Sequence, residues 1–344
     1  MRIIALPLAS SCLTASLILL PGQTVEGPQQ GEPAVARMMR TCQKCHSDVY
    51  KEWESSGHAR SWSNPAFQAA IEGRPDKGES CAACHAPASV LETGPGKMPR
   101  ARSRDREVGV NCITCHVKGR TYYGPISSKA HGGVEVLEAY RSAEWCASCH
   151  GQKVDRSGHN QFASWESSPA AAAGKTCQSC HMPPVERPLA AAEDPRIRLR
   201  DLQGPQPCRK HAFAPPEAGG REQAESARIS IHLEGGEAVV SLESLAGHGL
   251  PAAEGSELRL QVEFEGSGKE QVRAWDGENP LQPEQEQTLR MPLPQGTTGV
   301  RARLLIVKSQ EPGRTGEVRR ILAEADTGGG EGPDAAEEDG SSGS

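Results

Sequence analysis

The sequence predicts two successive folds, a mainly α-helical and irregular region with few strands followed by a small all-β sandwich. Three observations carry that reading. The pattern Cys-x-x-Cys-His recurs five times between Cys42 and His181. The same region is poor in apolar runs, and only 4% of the whole chain is aromatic, too little for an ordinary side-chain core. Beyond about residue 226, apolar and polar residues begin to alternate with the period of a half-buried strand.

The repeats are Cys42, Cys45 and His46; Cys81, Cys84 and His85; Cys112, Cys115 and His116; Cys146, Cys149 and His150; and Cys177, Cys180 and His181. With 12 Cys and 11 His in 344 residues, chance alone predicts roughly 0.01 such matches. The pattern is the attachment signature of haem c. Two thiols add across the vinyl groups of one porphyrin, and the His that follows comes to lie beneath the iron. Zinc sites and disulfide frameworks also use Cys-x-x-Cys, but neither calls for a His directly after every pair. Five covalent haem c groups are therefore expected, with the five motif His as iron ligands. Packed porphyrins would stand in for the missing core. The expectation is a multihaem cytochrome c domain over residues 38–215, with short helices at the attachment sites, little or no sheet, and folding coupled to haem loading.

The ends read differently. Arg2 precedes an apolar stretch from Ile3 to Leu20, which predicts a signal peptide within residues 1–25, with an uncleaved anchor as the alternative. Export to the periplasm, or secretion, agrees with covalent haem attachment. Cys12 falls inside that stretch, and Cys208 is the remaining Cys outside the motifs, expected to be buried as a small apolar residue. The net charge of −6 owes much to Glu331, Asp334, Glu337, Glu338 and Asp339, so residues 326–344 are expected to be a disordered acidic tail. Nothing in this balance suggests nucleic acid. The basic run Lys97, Arg100, Arg102, Arg104 and Arg106 reads as a solvated loop or as partners for haem propionates rather than a dock for an acidic protein.

One internal echo stands out. Trp53-Glu-Ser-Ser-Gly-His-Ala59 recurs as Trp165-Glu-Ser-Ser-Pro-Ala-Ala171. The first copy reads as a helix begun by Ser47, with Asp48 in its first turn, and stopped by Gly57. His58 then emerges at the turn, whereas Ala170 takes its place in the second copy. After a linker at residues 216–225, Ile229, Ile231 and Leu233 alternate with polar residues, as do Leu258, Leu260, Val262 and Phe264. Further strand-like runs cover 238–245, 288–293 and 300–308, which together predict a β-sandwich over residues 226–325.

Each iron needs a second axial ligand or keeps an open face, and that choice separates a carrier from a catalyst. His232 sits on the polar side of an alternating strand and reads as solvent-facing. The other non-motif histidines, His58, His131, His159, His211 and His248, all fall in turn or loop contexts, most beside glycine, which permits close backbone approach. These five are the candidate distal ligands, with Met98 and Met182 as alternatives. No residue is assigned a catalytic role; Arg120, Tyr122 and Tyr123 are the only cluster suited to surround an open iron, and packing explains the tyrosines equally well.

The run Cys42-Gln-Lys-Cys-His-Ser-Asp-Val-Tyr50 with Trp53 and Ser56-Gly-His-Ala59 resembles the multihaem cytochrome family that includes the tetrahaem electron acceptor of hydroxylamine oxidoreductase. So do Gly109-Val-Asn-Cys-Ile-Thr-Cys-His116, Gly174-Lys-Thr-Cys-Gln-Ser-Cys-His-Met-Pro183, His211-Ala-Phe213 and Ala246-Gly-His-Gly-Leu-Pro251. The last resembles a turn in the C-terminal β-domain of many relatives, although the usual Asn before it is absent here. The resemblance implies stacked haems, mostly with two His ligands, in periplasmic electron transfer, and would make His58, His131, His211 and His248 distal ligands; His159 has no counterpart.

Two functional classes follow. One is an electron carrier between redox partner proteins, such as other cytochromes, quinol oxidase modules or terminal reductases. The other is an oxidoreductase with one five-coordinate haem acting on a small nitrogen or oxyanion substrate. No Cys-x-x-Cys-Lys variant occurs, so a lysine-ligated catalytic iron has no support. A third possibility is a structural subunit of a complex or homo-oligomer, docked through its β-domain. The supply of His is enough to close every iron, which favours the carrier.

Overall fold

The computed structural model describes residues 34–152, 160–190, 204–213, 226–251, 256–276, 279–308 and 317–327. The expected signal peptide and linker, His159 and all but the first two residues of the expected acidic tail lie outside the described residues.

The first region is a string of short helices: α1 (Ala34–Gln43), α2 (Ser47–Glu54), α3 (Pro65–Glu72), α4 (Ala82–His85), α5 (Val90–Thr93), α6 (Cys112–His116), α7 (Glu144–His150), α8 (Gln161–Glu166), α9 (Pro169–Ala172) and α10 (Cys177–His181). Four of them end on a motif His. The first motif closes a turn as well, His46 N–H donating to the Cys42 carbonyl at 2.9 Å. Helical winding is what the chemistry requires, because residues i, i+3 and i+4 share one face and so present both thiols and the imidazole together.

As expected, this region also contains a few short strands. Strands β1 (Val117–Lys118), β2 (Thr121–Gly124) and β3 (Val134–Val136) form one small sheet, and β4 (Pro184–Arg187) pairs antiparallel with β5 (Gln206–Arg209). The helix expected to start at Ser47 and stop at Gly57 is shorter. Its N-cap is His46, Ser47 lies buried in its first turn, and it gives way at Ser55, whose N–H bonds the Lys51 carbonyl. Gly57 is outside the left-handed region and does not terminate it.

The second region is a sandwich of antiparallel sheets. β6 (Ala227–Glu234), β7 (Glu237–Ser244) and β10 (Glu286–Pro292) form one in the order β10-β7-β6; β8 (Ser256–Glu265), β9 (Lys269–Trp275), β11 (Gly299–Lys308) and β12 (Glu317–Asp326) form the other in the order β12-β11-β8-β9. Leu258, Leu260, Val262 and Phe264 point inward from β8 and pack with Val240, Leu242, Leu281 and Leu304. Intervening residues face outward in paired charge, Arg303 meeting Glu263 at 2.7 Å. The expected inward pattern on β6 holds at Ile229 but fades, leaving Leu233 exposed beside the exposed His232. β9 and β12 were not expected. β9 is an edge strand whose residues before Trp275 are exposed, so it has no alternation to read.

Candidate haem sites

Four of the five motif histidines face a second, non-motif imidazole at nearly one distance. Ring centres are 6.1 Å apart for His46 and His131, 6.2 Å for His150 and His58, 6.4 Å for His116 and His211, and 6.2 Å for His181 and His248. Two coordination bonds of about 2.0 Å, plus about 1.1 Å from nitrogen to ring centre on each side, sum to about 6.2 Å. The residues present therefore fit an iron held between each pair. Histidine, rather than Met98 or Met182, faces these four positions.

The orientation of the rings agrees. His46, His85, His116 and His150 direct Nδ1 to the Leu189 carbonyl (2.7 Å), the Ser61 carbonyl (2.8 Å), the Tyr123 carbonyl (2.9 Å) and Gln161 Oε1 (2.7 Å). His211 and His248 do the same with the carbonyls of Arg209 and Gly249, at 2.9 and 3.0 Å. An Nδ1–H donated this way fixes the tautomer and leaves Nε2 for a metal. Burial pushes the His58 imidazole down to about 3, aided by the nearby His150 and His181, and the His211 imidazole down to about 4. Burial also lowers His116, His131 and His150. Each shift favours the neutral imidazole, the form that binds a metal.

Local structure places four of the five candidate distal ligands. His58 lies in the turn after α2, where its carbonyl accepts from Val110 N–H at 3.0 Å. Gly109 makes that contact feasible: its φ is +59°, and a Cβ there would come within 2.5 Å of the His58 carbonyl oxygen. His131 adopts a left-handed backbone (φ 59°) with its ring stacked on Tyr122, 4.4 Å between centres. His211 leaves β5 along a short strap. His248 projects from the β-sandwich, and the glycines flanking it let this loop dock. Gly249 N–H donates to Ser164 Oγ at 2.7 Å, and a Cβ on Gly247 would lie 3.2 Å from that of Ala170. The side chain that replaces His58 in the repeat is thus the seat of the loop carrying His248.

The repeat is structural as well as sequential. Trp53 Nε1 donates to the Val110 carbonyl at 2.8 Å, two residues before Cys112, and Trp165 Nε1 to the Lys175 carbonyl at 2.9 Å, two residues before Cys177. Each tryptophan clamps the entry to a motif helix. Asn111 then caps α6 through the Ile113 and Thr114 N–H groups, while Ser179 Oγ accepts from Thr176 N–H before α10.

Attachment sites lie against one another. The thiols of Cys42 and Cys112, of Cys84 and Cys149, and of Cys146 and Cys177 lie close enough to shift one another's ionisation. The first motif therefore neighbours the third, and the fourth neighbours both the second and the fifth. Phe213 connects the third and fourth, its ring 4.3 Å from that of His58 and 5.7 Å from that of His211. Sequence alone did not reveal this order, since the contacts join residues 31 to 70 positions apart. All the described Cys are free thiols in the structure. Among the described residues, no three His, Cys, Asp or Glu side chains converge as a bare-metal cage.

His85 differs from the others. Its ring stacks on Phe67, centres 4.0 Å apart and planes 9° apart, and among the described residues no second imidazole faces it. The Arg120, Tyr122 and Tyr123 cluster does not supply donors there. Tyr122 backs His131, Tyr123 accepts from His116 and Arg120 is exposed.

Other expectations are corrected too. Arg102 is not a solvated side chain: its guanidinium donates to the carbonyls of Pro87, Asp105 and Gly109 at 2.9, 3.1 and 2.8 Å. Arg106 forms a forked pair with Glu79 at 2.7 and 2.8 Å and lies over Trp62. Cys208 is half-buried on β5 rather than enclosed, with Sγ 3.7 Å from the Arg187 carbonyl. Burial pushes the Glu52 carboxyl up, but Arg187 and the His211 N–H outweigh it and hold the group below the usual range.

A family model described as cytochrome c554 and c-prime matches residues 41–117, which contain the first three motifs and His58. The fold is similar to that of a penta-haem cytochrome c552 from Thermochromatium tepidum, with a TM-score of 0.55, 17% identity, and coverage of 83% of this chain and 97% of that one. No curated protein matches the chain. The chain has a multihaem cytochrome c fold.

Proposed function

We propose that this chain is an exported pentahaem c-type cytochrome that carries electrons between redox partner proteins in the periplasm. The four imidazole pairs at 6.1–6.4 Å carry the reading. Bound haem supplies one-electron redox chemistry; the chain supplies the thiols that anchor it, the two imidazoles that close each iron, and apolar surroundings that favour their neutral form. The resemblance to the family containing the electron acceptor of hydroxylamine oxidoreductase supports the same role. Contact between attachment sites supports continuous conduction from the first motif to the fifth. For the iron at His85 the reading takes His159, the remaining histidine once His232 is set on an exposed strand position.

A second reading, with an open iron at His85 acting on a small nitrogen or oxyanion substrate, is favoured by the lack of a facing imidazole there among the described residues. Electron paramagnetic resonance of the oxidised protein separates the two. The carrier reading expects low-spin haem only, with one haem turned high-spin by His159→Ala and a different one by His58→Ala. A high-spin signal amounting to one haem in the unmodified protein, untouched by His159→Ala and able to bind cyanide or nitric oxide rapidly, would establish the open iron instead.

A further inference from the structure

The contacts that orient His211 converge on one charged pair. Glu52, on α2, accepts from Arg187 Nη1 at 2.6 Å and from Arg187 Nη2 at 2.9 Å. The Glu52 oxygen facing Nη2 also accepts the backbone N–H of His211 at 2.8 Å. Arg187 Nη2 donates onward to the Arg209 carbonyl at 3.2 Å, and the same carbonyl accepts His211 Nδ1–H at 2.9 Å. The ring closes from carboxylate to guanidinium to carbonyl to imidazole, and back through the main chain to the carboxylate. It fixes the backbone and the side chain of His211 at once.

We propose that Glu52 and Arg187 are positioning residues for His211, holding its imidazole in one orientation opposite His116. The proposal rests on the haem reading above. Three features take it beyond an ordinary ion pair. The pair is only 22% and 12% exposed, so water is a poor substitute for either partner. The forked geometry is the one in which guanidinium and carboxylate constrain each other most. The other distal ligands are held differently: His248 bonds the carbonyl of its own neighbour, while His58 and His131 lean on Phe213 and Tyr122. Glu52 also follows His46 by six residues in the same chain segment. The pair thereby ties the helix after the first motif to the distal ligand of the third, the two sites that touch through Cys42 and Cys112.

The test uses the full, haem-loaded protein, with paramagnetic resonance and a spectroscopic redox titration. His211→Ala first identifies the relevant signal by turning one haem high-spin. Glu52→Ala is expected to shift the g-values and midpoint potential of that haem and leave the rest in place. Glu52→Gln keeps an oxygen for the His211 N–H but loses the charge and one arm of the fork, so it should shift the g-values less than Glu52→Ala. Arg187→Lys keeps the charge but loses the fork, and should shift the same signal. If Glu52→Ala fails to load haem, Arg187→Lys decides the matter alone. Unchanged signals in these variants, or a shift spread over all the haems, would reduce the pair to a general stabilising role. Should His211→Ala itself leave the spectrum unchanged, the ligation reading fails, which is a separate result.

Discussion

The two halves of this chain keep water out by different means. In the sandwich, one apolar cluster runs from Ala227 to Leu322 and contains most of the largest fully buried side chains, Phe264, Leu242, Leu258, Leu260, Leu281 and Leu304 among them. In residues 34–213, buried apolar residues such as Trp53, Ile71, Leu91 and Trp145 belong to no such cluster. What the sequence repeats there is instead a ligand spacing. A domain with a side-chain core carries its folding information in hydrophobic period, whereas one organised round a cofactor carries it in the chemistry of attachment. The same physics, removal of apolar surface from water, leaves two unlike signatures.

The sharpest way to break this comparison is to withhold the haem. Replacing the motif Cys by Ser, or expressing the chain where haem attachment cannot occur, should abolish native helicity and exchange protection across 34–213, while residues 226–327 stay folded. Hydrogen exchange read by mass spectrometry checks both halves in one sample. Native-like protection in the apo form of the first half would mean that a side-chain core had been overlooked.

A smaller effect sharpens the boundary from the other side. Leu260 is fully buried at the centre of β8, so Leu260→Ala should cost about 2–5 kcal/mol of sandwich stability. The haem spectrum in native buffer should not change. In a denaturant series, however, one haem should turn high-spin earlier than in the parent, because His248 leaves when the sandwich unfolds. Simultaneous loss of all haem signals would instead show that the two regions unfold as one unit.

How far the sequence could be read follows from the same contrast. Motif spacing marks the five candidate attachment sites, and the search for histidines in loops singled out His58, His131, His211 and His248, each of which faces a motif imidazole in the structure, because both signals are local. Period-2 alternation found β8, whose inward residues are consistently apolar, and strand-like runs found β7, β10 and β11. Alternation missed β9, an exposed edge, and on β6 the strand continues to Glu234 although Leu233 is exposed. The pairing of His116 with His211 was not legible, nor was the Glu52 and Arg187 pair, 135 residues apart in the chain. A carboxylate on a short helix looks like any solvated charge until the fold brings its partner. Ser47 and Gly57 misled for a related reason: they carry cap chemistry, but His46 and Ser55 hold the geometry.

The smallest predicted effect concerns the repeated tryptophan, where two copies of one device sit in unlike surroundings. Trp53 donates in a part-buried setting and is itself 8% exposed; the bond from Trp165 is exposed. Trp53→Phe leaves the Val110 carbonyl without a donor where water is scarce, a loss of about 1–3 kcal/mol. Trp165→Phe lets solvent reach the Lys175 carbonyl, so the net cost should fall to about 0.5–1.5 kcal/mol. Denaturant midpoints of the loaded protein measure both. The consequence for the sites differs as well. Val110 carries the contact to the His58 turn, so the first variant disturbs the entry to the third motif and the distal ligand of the fourth together; the second disturbs the fifth motif and the seat of the His248 loop. Equal costs would mean that burial does not govern the clamp. A larger cost at Trp165 would mean that docking of the sandwich loop against Trp165 and Ala170 outweighs the hydrogen bond.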